Sequence, residues 1–210
     1  QKLTELWLQV GRYQFYVVYF IWLGFLFFGE SFILLWAGET YRDAYIVALL
    51  LMMPLPIHLC QTLAIEVLRA YNRHRLWTFV HLAGSIIGFL ICIPLTKEYG
   101  VLGVSVGTSI TLFIILNFYD NWYYAKHAQL NVLFFFRGMV RLLPAALLCM
   151  LFAWGLSNVL RIITWSDMLL VGTLYTVLYA GVMFLAGMNA QERDIIVTMI
   201  RRVGLRINWI

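Results

Sequence analysis

At 210 residues, with 63% hydrophobic and 12% charged residues and a mean hydropathy of +0.84, the chain is too apolar for a soluble globular domain. Its net charge of +5 is carried by connections between apolar runs. It therefore reads as membrane topology and contact with anionic headgroups, not as affinity for nucleic acid. Composition points to an all-α polytopic membrane protein.

Residues 1–12 read as a short amphipathic segment leading into the membrane, and the abrupt start gives the expectation that the amino-terminal part of a longer protein is missing. Apolar runs then predict six transmembrane helices at about 13–36, 44–68, 77–96, 101–124, 138–158 and 167–187, so residues 13–187 form one six-helix domain. Twelve of the fifteen Lys and Arg fall on one set of connections; only Arg42, Lys97 and Arg161 fall on the other. The positive-inside rule puts both ends of the segment in the cytoplasm, which agrees with an even number of crossings.

The first span carries Glu30 roughly 25 Å above its cytoplasmic end, at the outer edge of the hydrocarbon. An interfacial anchor is the simpler role for it; a cation or proton site is the alternative. The second span is the organising element. Pro54 and Pro56 predict a kink or hinge near its middle. After them His58, Gln61, Thr62, Glu66 and Arg69 recur at helical spacing, as expected of a helix that lines a substrate cavity. The alternative is a kinked helix whose polar stripe bonds to neighbouring helices.

In the third span Gly84 and Gly88 form a GxxxG pattern, and in the fourth Gly103 and Gly107 repeat the interval. Small residues at these steps let two helices approach closely, so the third and fourth spans are expected to pack together. His81 reads as a hydrogen-bonded or snorkelling residue. Asn117, Asp120 and Asn121, among four aromatic residues, read as a helix end in the headgroup region. The fifth and sixth spans carry few ionisable groups and read as lipid-facing or packing helices. Residues 188–210 form an amphipathic tail on the inner leaflet, with Asn189 and Glu192 spaced as a capping box.

Cys60, Cys92 and Cys149 lie in three different spans, and the four histidines have no metal-ligand spacing, so no metal or cofactor is expected. Neither HExxH, a phosphate-binding loop, CxxC nor GxSxG occurs, and no nucleophile is paired with a base. The chain does not read as an enzyme, and transport by it would be driven by an ion or substrate gradient.

The segments GESFILLWAGETYRDAY, QTLAIEVLRAYNRHR, KEYGVLGVSVGTS and MNAQERDIIVTMIRR, in this order, resemble the carboxy-terminal half of bacterial Wzx-type polysaccharide flippases. These belong to the multidrug/oligosaccharidyl-lipid/polysaccharide flippase superfamily. The resemblance covers nearly the whole chain but rests on loosely specified positions. It implies the last six of about fourteen helices in a two-lobed protein of the bacterial inner membrane. The implied function is flipping of an undecaprenyl-linked oligosaccharide, an O-antigen or capsule repeat unit, to the periplasmic leaflet by alternating access. The partners it implies are the lipid-linked oligosaccharide, membrane lipids and a polysaccharide polymerase. Sibling alternatives are a drug/cation antiporter, for which Glu30 is the coupling candidate, and a peptidoglycan-precursor flippase. From a different class, the alternative is a non-transporting membrane scaffold.

Overall fold

A computed structural model describes residues 2–190, 192–194 and 198, and among these every regular element is helical. The first helix, α1 (Lys2–Ala37), runs 36 residues without a break, so residues 2–12 are its first three turns and not a separate segment. Over about 54 Å it is the spine of the fold. One hydrophobic cluster joins it to α8 (Leu143–Val159) and α9 (Trp165–Val182) through Tyr16, Leu23, Ala146, Cys149 and Tyr175. A second joins it to α4 (Thr62–Ala70), α6 (Asp120–His127) and α7 (Val132–Val140) around Trp7, which stacks on Phe135 at 4.2 Å. The last two long helices are thus packing partners of α1.

Tyrosine hydroxyls reinforce this core by donating to backbone carbonyls. Tyr175 and Tyr179 donate to Phe20 and Tyr16 at 2.8 Å, Tyr19 to Ala146 at 3.0 Å and Tyr45 to Leu26 at 2.6 Å. A phenol buried in an apolar bundle needs such a partner, because neither lipid nor hydrocarbon side chains supply one.

Where six spans are expected, three helices among the described residues are long and apolar enough to cross a membrane: Lys2–Ala37, His74–His127 and Trp165–Gly187. A fourth follows if α7 and α8, bent by 48°, count as one. The expected second span fails the test because it is cut into α2 (Ala44–Met52), α3 (Leu55–Leu59) and α4. The expected third and fourth merge into one run, α5 (His74–Phe113), continued by a π-helical turn (Ile114–Tyr119) and α6.

That run is not straight. Gly100 adopts φ +58° and ψ −135°, a conformation open to glycine and outside any helix. The chain reverses there. A Cβ on Gly103 would lie 2.0 Å from the Leu95 carbonyl oxygen, on Gly107 2.9 Å from Cys92 Sγ, on Gly88 2.8 Å from Thr111, and on Gly84 2.2 Å from Ile115. Every pair is centred on residue 99 or 100, so the two arms lie antiparallel with their glycines in the seam. Thr108 and Cys92 meet across it at 3.5 Å. The outward side of the first arm is apolar, with Phe79, Leu82, Ile86, Ile87, Phe89 and Leu90 all exposed. A contiguous stripe of that kind fits lipid better than water.

The expected tail lies mostly outside the described residues, but its first turn is placed. Glu192 accepts from the Asn189 backbone at 2.8 Å, one half of the expected capping box. It also forms a buried ion pair with Arg12 of α1 at 2.7 Å and accepts from the Tyr16 hydroxyl at 2.9 Å, while Arg12 donates to the Gly187 carbonyl at 3.0 Å. Burial works to raise the Glu192 pKa, but these donors outweigh it and hold the carboxyl below its ordinary range.

Candidate functional site

Two polar residues of the broken helix, His58 and Gln61, meet the α6 end of the hairpin. Asp120, at the first turn of α6, has no solvent exposure. Its Oδ1 accepts from Trp77 Nε1 at 2.8 Å and lies 2.8 Å from His81 Nε2, both on the facing arm of α5. Its Oδ2 is 3.2 Å from His58 Nδ1, on the five-residue α3. The contact is close but poorly aligned, leaving both atoms without a well-formed hydrogen bond. Asp120 thus has one filled oxygen and one available oxygen, with an imidazole on each side.

Its neighbours extend the contact between α6 and the broken helix. Gln61 Nε2 donates to Asn121 Oδ1 at 2.8 Å, and Asn117 Nδ2 donates to the Pro54 carbonyl at 3.2 Å. Pro54 lacks an N–H, and the Leu50 carbonyl that such a group would meet in a continuous helix accepts instead from Ser109 Oγ at 2.8 Å. Asn117, Asp120 and Asn121 therefore reach Pro54, His58 and Gln61 in parallel order, three side chains holding three points of an interrupted helix. The π-helical turn at Ile114–Tyr119 contains Asn117 and ends at Asp120, and its extra residue turns this contact relative to the preceding α5.

The stripe from His58 to Arg69 does not share one face. A second break at Cys60 and Gln61 changes the direction of the chain. His58 and Gln61 turn towards α6, whereas Thr62 faces α1 and hydrogen-bonds to Gln14. In the amide orientation that satisfies both ends, Gln14 also donates to the Leu59 and Cys60 carbonyls at 3.2 Å. Glu66 and Arg69 pair with each other at 2.8 Å and are exposed. Glu30 likewise pairs with exposed Arg42 at 2.8 Å. Such pairs contribute about 0–1 kcal/mol, and Glu30 sits at the opposite end of the bundle from Asp120.

Asp120 is not a solvent-facing helix end: it is enclosed within the bundle by Trp77 and the two imidazoles, with Tyr123 and Tyr124 also buried. The hairpin register could have located it. In a pairing centred on residue 99 or 100, position 120 falls opposite the interval between Trp77 and His81. Between the hairpin arms, towards the Gly100 turn, lies a groove of about 770 Å³ lined by Ser85, Cys92, Thr96, Lys97 and Thr108 among others. It does not include Asp120.

Fold and site together define a membrane protein, helical throughout its described residues, in which Trp77, His81 and His58 gather at the buried carboxylate of Asp120. No family model, no curated protein and no solved structure matches the chain.

Proposed function

We propose that the chain is the carboxy-terminal part of a two-lobed flippase that moves an undecaprenyl-linked oligosaccharide across the bacterial inner membrane, with both ends of the segment cytoplasmic. The reading counts six crossings: α1, the interrupted α2 to α4, each arm of the α5 hairpin, α8 and α9. Both arms support it by length, since His74 to Gly100 is about 39 Å of helix, more than the hydrocarbon thickness. The interrupted helix is about as long. Backbone broken at membrane depth is tolerated where it is buried in protein or lines a cavity.

The observation that carries the proposal is the contact of this broken helix with α6 through His58 and Gln61. Ionisable groups held inside a membrane bundle are costly and mark transport paths more often than plain packing. Rocking of two lobes, with Pro54 and Pro56 as the hinge, would open and close the face beside His58.

The scaffold reading has one observation in its favour, the well-filled Oδ1 of Asp120, which suits a static pin. Membrane-impermeant thiol reagents separate the two. With Cys60, Cys92 and Cys149 replaced by Ala, cysteines at positions 58 and 61 are expected to react in native membranes. Protection of both positions from either side of the membrane would favour the scaffold.

A further inference from the structure

We propose that Asp120, His58 and His81 form a proton-binding site whose occupancy sets how tightly the broken helix is held to α6. Its use as the energy-coupling site for transport rests on the flippase reading; the proton site itself does not. Glu30 fits that role poorly, being exposed and paired with Arg42.

An ionised Asp120 between two neutral imidazoles leaves one net negative charge buried, and among the described residues no Lys or Arg pairs with it. Nearby titratable groups are the phenols Tyr119, Tyr123 and Tyr124 on its own stretch and Cys60 on the broken helix. The charged groups Glu66, Arg69, Arg73, Lys126 and Arg137 are exposed, Arg12 of α1 is buried and paired with Glu192, and the further imidazoles on the adjoining elements are His74 of α5 and His127 of α6. One proton on an imidazole makes the site neutral, removing the cost of an uncompensated buried charge. Histidine is the side chain suited to take it in the physiological range.

The two imidazoles are not equivalent. His81 shares Oδ1 with Trp77 on the hairpin arm, so a proton there changes nothing between moving parts. His58 faces the available Oδ2 and sits on α3, between two breaks. A proton on His58 turns a misaligned neutral contact into a charge-assisted one, roughly twice as strong, and clamps α3 to α6. Its loss leaves the carboxylate needing water, which favours separation of the two elements. His58 and its side chain, 18% exposed, already lie nearer to solvent than Asp120 at 0%.

Hydrogen exchange of the full chain in lipid nanodiscs tests this without any substrate. After removal of the intrinsic pH dependence, peptides covering residues 55–62 should gain about tenfold protection between pH 8 and pH 5. His58→Gln and Asp120→Asn should abolish the gain, and Glu39→Gln, an exposed carboxylate, should keep it. Equal corrected protection at both pH values in the parent chain would overturn the proposal, as would a gain that survives in His58→Gln. If Asp120→Asn does not fold, His58→Gln decides alone. Proton-linked protection without polysaccharide export would retire the flippase reading and leave the proton site; export with flat protection would do the reverse.

Discussion

Asp120→Ala should destabilise the protein by about 3 kcal/mol or more, because it strands two half-buried donors at once and removes the oxygen beside His58. Trp77 Nε1 and His81 Nε2 would lose the oxygen they meet at 2.8 Å, and His58 the one at 3.2 Å. Each unsatisfied buried donor costs about 1–3 kcal/mol. Asp120→Asn retains one carbonyl oxygen and should cost less, about half as much. Equilibrium unfolding in mixed micelles checks both. A stability within about 0.5 kcal/mol of the parent for Asp120→Ala would mean that the donors find other partners, and that Asp120 does not join the broken helix to the hairpin.

Gly103→Val is the second large effect. A Cβ at this position would come within 2.0 Å of the Leu95 carbonyl oxygen, and a backbone atom cannot rotate away as a side chain can. The arms must separate near the turn, losing the close contacts of the seam. The expected cost is about 3 kcal/mol, at the upper end of overpacking effects, with a reduced yield of folded protein in membranes. Gly155→Val provides the comparison, since nothing lies within 4 Å of its added Cβ. Equal yields and unfolding midpoints for the two variants would show that the hairpin seam is looser than the structure has it.

Much of this arrangement is legible in sequence where a local rule governs it. Pro54 and Pro56 remove backbone donors, and the first interruption of the second helix falls beside them. The spacing of Gly84, Gly88, Gly103 and Gly107 encodes the seam, and Gly100 the reversal. The break at Cys60 and Gln61 is different. Neither residue is a helix breaker by type, and the carbonyls released there are met by Gln14, more than forty residues away. Long-range partners also decide Asp120, whose surroundings of Tyr, Trp and Asn look like an interfacial helix end until the facing arm supplies Trp77 and His81. Arg12 and Glu192 are a similar case, an ion pair 180 positions apart that no local pattern announces. Helix type and small-residue packing follow from neighbours in sequence, whereas polar pairing across a bundle depends on which helices meet.

The stripe after Pro56 shows the same limit within a single element. Helical spacing alone places His58, Gln61, Thr62, Glu66 and Arg69 along one face. One non-helical turn at Cys60 and Gln61 divides them into two residues facing α6, one facing α1 and an exposed ion pair. Of the five, His58 and Gln61 meet α6, where Asp120 and Asn121 receive them.

Export of surface polysaccharide by the full protein, carrying His58→Ala and compared with the parent at equal membrane abundance, tests the central claim most directly. The transport reading predicts a fall of about tenfold or more, since His58 joins the moving helix to the buried carboxylate. Export at the parent level would contradict it, removing His58 from the transport path and leaving its contact with Asp120 a matter of packing alone.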